Sequence, residues 1–189
     1  IISDSASQQY TNSTFGSFDA NGFTLTSSNV TWNGSGSDYV SWNWKAGGEA
    51  VNIGLNTITG STPSIASDVS ANTAAGFSIV KYTGNGTDGA TVGHGISTPE
   101  IIIIKNLNSS STNWMVKVPS IMTDDKNYLY LNGNSAVQSA GSTTFIKTVN
   151  SSIFTLGTSS QTNSTNNFIA YCWHSVTGYS KIGTYEGTN

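Results

Sequence analysis

Arginine is absent, and all seven cations are lysine. Arginine supplies the planar fork that grips phosphates and carboxylates in two places at once. Nucleic-acid binders also carry a basic stripe, whereas this chain has a net charge of -3 and no charge blocks. Nucleic acid and anionic membrane surfaces are therefore not expected partners. Charged residues make up only 9% of the chain. A single cysteine, Cys172, excludes an internal disulfide. No apolar run approaches the roughly 20 residues that a membrane-spanning helix needs. The chain begins at Ile1, with neither a methionine nor a leader-like segment. That start is read as lying inside a longer polypeptide or at a processing site.

What is present is serine, threonine and asparagine, together about 40% of the 189 residues. Disordered chains share that polarity but are poor in aromatic and β-branched residues. Here aromatics reach 11%, five of them tryptophan, and Ile101–Ile104 is an unbroken isoleucine run. The chain should fold. Solubility has to come from hydroxyls and amides rather than charge, which suits a salty medium where charge is screened within about 8–10 Å.

Period-two alternation recurs along the sequence and helical periodicity does not. Strands are expected at 23–28, 39–44, 51–55, 77–82, 90–92, 101–105, 114–118, 128–131, 144–149, 153–156, 168–174 and 181–185. Asn21-Gly22, Asn85-Gly86, Asp88-Gly89 and Asn132-Gly133 punctuate them as turns. Residues 64–75 lack an apolar stripe and read as a linker. The fold class is all-β: an antiparallel β-sandwich or jelly roll.

An internal repeat organises the chain. Gly22-Phe23-Thr24-Leu25, then Tyr39-Val40-Ser41-Trp42-Asn43-Trp44, returns about 130 positions later. The second copy reads Ile153-Phe154-Thr155-Leu156, then Phe168-Ile169-Ala170-Tyr171-Cys172-Trp173. Gly76-Phe77-Ser78 likewise returns as Gly178-Tyr179-Ser180. The reading is one sandwich region over 1–189. Residues 1–46 end one repeat, 47–74 are a linker or insertion, 75–177 form a full repeat and 178–189 start the next. Val40, Trp42 and Trp44 share a strand face, as do Ile169, Tyr171 and Trp173. Both faces are expected in the core, because a repeat keeps the residues it needs to fold. Strands at the cut ends would leave backbone edges to be covered by flanking chain or another subunit.

Four stretches carry a family likeness: Ala75 to Gly86, Gly89 to Gly95, Pro99 to Asn106, and Phe168 to Lys181. Together with Asn113-Trp114-Met115-Val116 and Tyr128-Leu129-Tyr130-Leu131-Asn132, they resemble a tandem concanavalin-like repeat. That repeat belongs to long structural proteins of marine bacteriophages, cyanophages among them. The resemblance covers nearly all of residues 20–189. It implies a concanavalin-like sandwich on a tail fibre, appendage or capsid, at the virion surface or outside the cell. It implies other virion proteins or further copies of the chain as partners and leaves the ligand unassigned. Host-surface carbohydrate is the expected ligand class on a separate ground: many weak contacts from linked copies, through Ser, Thr and Asn at loop tips, gain avidity. The resemblance brings no catalytic motif.

The residues themselves agree that chemistry has little foothold. No nucleophile elbow, phosphate loop or dinucleotide fingerprint occurs. His94 and His174 lack metal-ligand spacing and read as a turn residue and a strand-end residue. Asn85-Gly86-Thr87-Asp88-Gly89 lacks the alternating acids of a calcium loop and reads as a turn. Asp124-Asp125 reads as a loop pair. No enzyme activity, metal or cofactor is expected. The rings outside the repeated pattern, Trp32 and Trp114, are the candidate ligand-binding residues, as surface platforms for a sugar. A self-assembling spacer, or an accessory carbohydrate-binding domain of a secreted bacterial protein, are the alternative functions.

Overall fold

The computed structural model describes residues 5–9, 14–27, 30–55 and 62–188. Ile1, Ser28, residues 56–61 and Asn189, on which parts of the sequence reading fall, lie outside them. The chain divides into two compact units, one of residues 9–44 and one of residues 1–8 with 45–189.

The larger unit is an antiparallel β-sandwich. Its strands are β3 (Val51–Ile53), β4 (Ser67–Asn72), β5 (Phe77–Thr83), β6 (Thr91–Gly93), β7 (Ile101–Asn106), β8 (Met115–Lys117), β9 (Asn127–Tyr130), β10 (Gln138–Ser139), β11 (Ile146–Val149), β12 (Ile153–Leu156) and β13 (Asn167–Trp173). One eight-stranded sheet runs β10-β9-β8-β7-β13-β5-β4-β3, and a three-stranded sheet runs β11-β12-β6. Every pairing between named strands is antiparallel.

Alternation builds the core. From the large sheet, Val80, Tyr82, Ile102, Ile104, Phe168, Ala170 and Cys172 point inward. From the small sheet, Val92, Ile146, Phe154 and Leu156 meet them in one buried cluster. Each large apolar side chain so buried stabilises the fold by about 1.5–3 kcal/mol. Phe168 stacks on Tyr82 with ring centroids 5.2 Å apart, and Phe154 meets Tyr82 edge-on at 6.0 Å. The hairpin from β4 to β5 turns at Gly76, whose φ of +64° places it in the left-handed region. A Cβ there would lie 2.5 Å from the His174 carbonyl oxygen, so only glycine fits.

Residues 67–72, read from sequence as linker, instead form β4. Its inward residues, Ser67, Val69 and Ala71, are too small and mixed to show as a hydrophobic alternation. The expected strand at 181–185 is also missing; an isolated bridge, Val176↔Ser180, is the nearest pairing.

The smaller unit holds β1 (Phe15–Asp19), β2 (Gly22–Leu25) and a single helical turn, α1 (Val30–Asn33). Its hairpin repeats the β11–β12 hairpin at an offset of 131. Phe15 pairs with Leu25 and Ser17 with Thr24, the register breaking at the intervening Gly16. Ile146 pairs with Leu156 and Thr148 with Thr155, the register breaking at Lys147. Beyond the hairpin, Thr26 N–H donates to the Thr14 carbonyl at 2.7 Å, as Gly157 N–H donates to the Phe145 carbonyl at 2.8 Å. Asn33 Nδ2 donates to the Ser27 carbonyl six residues back, and Asn163 Nδ2 does the same to Gly157. Identity of letters in a low-variety chain is weak testimony. A shared bulge and shared hydrogen bonds are strong.

Residues 39–44, the counterpart of β13, are nonetheless not a strand. β13 is held between β5 and β7 by backbone ladders on both sides, and no strand pairing among the described residues involves 39–44. Lacking those ladders, Val40, Trp42 and Trp44 are 70%, 72% and 57% exposed. The expected core face is corrected in the second copy as well. Phe168, Ala170 and Cys172 point into the sandwich, while Ile169, Tyr171 and Trp173 lie half-buried on the opposite face. A one-residue error in choosing the face moves every side chain to the other side.

Candidate functional site

That outer face is the most distinctive surface of the larger unit. β13 contributes Ile169, Tyr171 and Trp173; β7 contributes Ile101 and Ile103; β5 contributes Phe77 and Ile79. The aromatic members form a row. Trp114 stacks with Tyr171 at 6.3 Å, Tyr171 with Trp173 at 6.2 Å, and Trp173 lies 5.0 Å from Phe77. Tyr171 and Trp173 stand two apart on one strand with their planes 24° apart, so their faces turn toward each other. The row offers edges more than faces to the outside.

Trp114, expected as a surface ring, is buried at 6% exposure. Its indole N–H donates to the Ser5 carbonyl at 3.2 Å. Beside it Lys105, wholly buried, points its ammonium to the carbonyls of Ala6 (2.8 Å) and Thr112 (2.6 Å). Burial pushes that ammonium below the usual lysine range. Residues 5–6 thus lie across this end of the outer face and cover the ring. Trp32 lies in α1, half-buried. The two candidate rings sit in different units.

Toward the other edge of the same face the surface turns polar. A shallow hollow of about 160 Å³ is lined by Asn52, Ala66, Asp68, Lys81, Tyr82, Thr83 and Asn167. Its groups are fixed in pairs: Asn52 Nδ2 donates to Asp68 Oδ1, and Thr83 Oγ1 donates to Asn167 Oδ1, both at 2.8 Å. An amide, a hydroxyl, a carboxylate and an ammonium around one small hollow suit polyhydroxylated ligands. No alternation or motif in the sequence marks these residues; only the sheet order brings them together.

The family model that matches covers residues 1–189. The chain belongs to DUF7483, a domain family of unknown function. No curated protein and no solved structure matches it.

Two other polar residues of this DUF7483 domain are structural. Asn163, buried, accepts from the N–H groups of Asn85 and Gly86 at 3.0 Å each. It donates to the carbonyls of Thr87 (2.8 Å) and Gly157 (3.2 Å). One amide therefore pins the 85–89 turn, and Asp88 spends its charge on Lys147 at 3.0 Å. No cluster of three or more metal-ligating side chains occurs among the described residues. The lone thiol, Cys172, is buried and its pKa is pushed up to about 12.

His94, expected in a turn, is instead wholly buried just after β6. Its Nε2 lies 3.0 Å from the Asn150 carbonyl, so the proton sits there, and Nδ1 is left to accept from Ile96 N–H at 3.4 Å. A second proton would set two donors face to face. Burial accordingly lowers its pKa from 6.5 to about 4, the Asn150 carbonyl opposing and His174 adding slightly. Because the unfolded chain binds this proton more readily, stability present above pH 6.5 is lost as pH falls through 4. The loss should be about 2–3 kcal/mol. Urea unfolding at pH 7 and pH 4 checks it against His94→Gln, which keeps a donor for Asn150 but cannot titrate. An unchanged pH dependence in the variant would refute the assignment.

Proposed function

We propose that this chain is a non-enzymatic structural and adhesive module of a virion surface, on a tail fibre, appendage or capsid. In this role it contacts host-surface glycans weakly at each copy and gains avidity from many copies. The observation that carries the reading is the setting of its exposed rings. Trp42 and Trp44 stand open on a surface that is poor in charge and rich in hydroxyls and amides. An amphipathic ring of this kind offers a flat apolar face to a pyranose. The likeness to tandem phage repeats supports the location, and a β-domain of this size without a disulfide fits bacterial or phage material better than an exported eukaryotic domain.

Titrating a tetramerised form of the chain with purified bacterial envelope polysaccharide tests this. Saturable binding is expected, weaker by at least about 100-fold for the single chain, since linked sites multiply affinity without new contacts. Trp42→Ala should weaken it by up to about tenfold, the worth of one ring contact. No binding by the tetramer would leave only a scaffold role.

A further inference from the structure

The polar hollow on the outer face of the large sheet is built by strand register. Asn52, Asp68 and Lys81 stand in one cross-strand row over β3, β4 and β5. Thr83 and Asn167 stand opposite each other in the next row, on β5 and β13. Residues two apart on a strand share a face, so both rows open on the same side. Ala66, just before β4, is the small side chain that leaves space among them. Two internal hydrogen bonds fix the walls: Asn52 Nδ2 donates to Asp68 Oδ1, and Thr83 Oγ1 donates to Asn167 Oδ1. Four polar groups are left over. Among the described residues, Asp68 Oδ2 and Asn52 Oδ1 remain as acceptors without a partner. Asn167 Nδ2 and the Lys81 ammonium likewise remain as donors. Lys81 stands opposite Asp68 in the register, yet the two form no ion pair.

We propose that this hollow binds one pyranose unit of a neutral glycan through two neighbouring hydroxyls. A hydroxyl gives one hydrogen and accepts at its oxygen. Two neighbouring hydroxyls therefore present two donors and two acceptors, the complement of the four groups left open. The charges of Asp68 and Lys81 balance, which selects an uncharged sugar over an acidic one. A carboxylate or phosphate would meet Lys81 but be repelled by Asp68. At about 160 Å³ the hollow has the volume of about five waters, room for one sugar ring and not for two. Asp68 and Asn167 are already held by their own hydrogen bonds, so binding takes little side-chain freedom from them. This site takes its ligand class from the glycan reading, but it lies in the larger unit and does not involve Trp42.

Amide chemical shifts of the full chain, followed during titration with the methyl pyranosides of mannose, galactose and glucose, are the test. A ligand this small supports a Kd of about 1–10 mM, so the titration runs to about 100 mM. At least one of the three sugars should give saturating shifts confined to the strands around Asn52, Asp68, Lys81 and Asn167. Asp68→Asn keeps an acceptor for Asn52 and turns the other oxygen into a donor. It should weaken binding at least about tenfold, the effect of one lost hydrogen bond to a charged group. Ala66→Phe, at an exposed position, fills the hollow and should abolish the shifts while the rest of the spectrum stays that of the wild type. Trp42→Ala should leave them unchanged. Absence of saturating shifts with all three sugars overturns the proposal, as do shifts that survive both hollow substitutions. Tighter binding of galacturonate than of methyl galactoside overturns it as well, since Lys81 would then be reading charge. Hollow shifts that persist when the tetramer fails to bind polysaccharide support this site and remove only the adhesive role.

Discussion

Phe168→Ala should lower the free energy of unfolding by about 3–5 kcal/mol, measured by urea denaturation. The ring is fully buried, stacked on Tyr82 and inside the cluster that joins the two sheets. Its removal loses both the transfer of the ring from water and the packing of the surrounding side chains. Domains of this kind hold about 5–15 kcal/mol in total, so the variant stands near the edge of folding. Tyr171→Ala makes the decisive comparison. It removes a ring of similar size three residues away, from the half-buried outer face, and should cost clearly less. If Tyr171→Ala proved the more damaging of the two, the assignment of faces on β13 would be wrong.

Asn163→Ala should cost about 2–4 kcal/mol. The substitution strips partners from two N–H groups and two carbonyls in one step, and polar groups left without partners carry most of the loss. Hydrogen exchange at residues 85–89 should accelerate together with the drop in melting temperature. Asn163→Asp separates the two halves of the interaction. Its carboxylate still accepts from Asn85 and Gly86 but is buried as a charge against the Thr87 and Gly157 carbonyls, so at neutral pH its loss should at least equal that of Asn163→Ala. The counterpart Asn33 holds the Ser27 carbonyl on an exposed surface. Asn33→Ala should cost less than about 1 kcal/mol. Equal losses at Asn33 and Asn163 would mean that the 85–89 turn is not what Asn163 stabilises.

The architecture was legible because short alternating segments between Asn-Gly turns leave few options besides antiparallel sheets. β5, β12 and β13 could be read within a residue or two. β4 could not, since Ser67, Val69 and Ala71 face the core with small side chains and leave no apolar rhythm. Isoleucine on both sides of β7 hid which side was inward, and in β13 the bulkier alternate set lay on the outer face. Residues 39–44 show the limit most clearly. Their pattern is that of a strand, yet a strand exists only where another backbone pairs with it, and pairing is a property of the surroundings. Trp114 could not be recognised as buried, because the Ser5 carbonyl that receives its N–H lies 109 residues away. The hollow lined by Asn52, Lys81 and Asn167 depends on sheet order in the same way.

The fastening of residues 5–6 has an environmental consequence. Lys105 and Trp114 hold that segment through carbonyl oxygens, so neither anchor uses an opposite charge that dissolved ions could screen. Brine, which weakens ordinary surface ion pairs such as Lys147 with Asp88, leaves this clasp untouched and strengthens the apolar packing beneath it. In the sea, or in any concentrated electrolyte, the molecule keeps its seal where a surface laced with salt bridges would loosen.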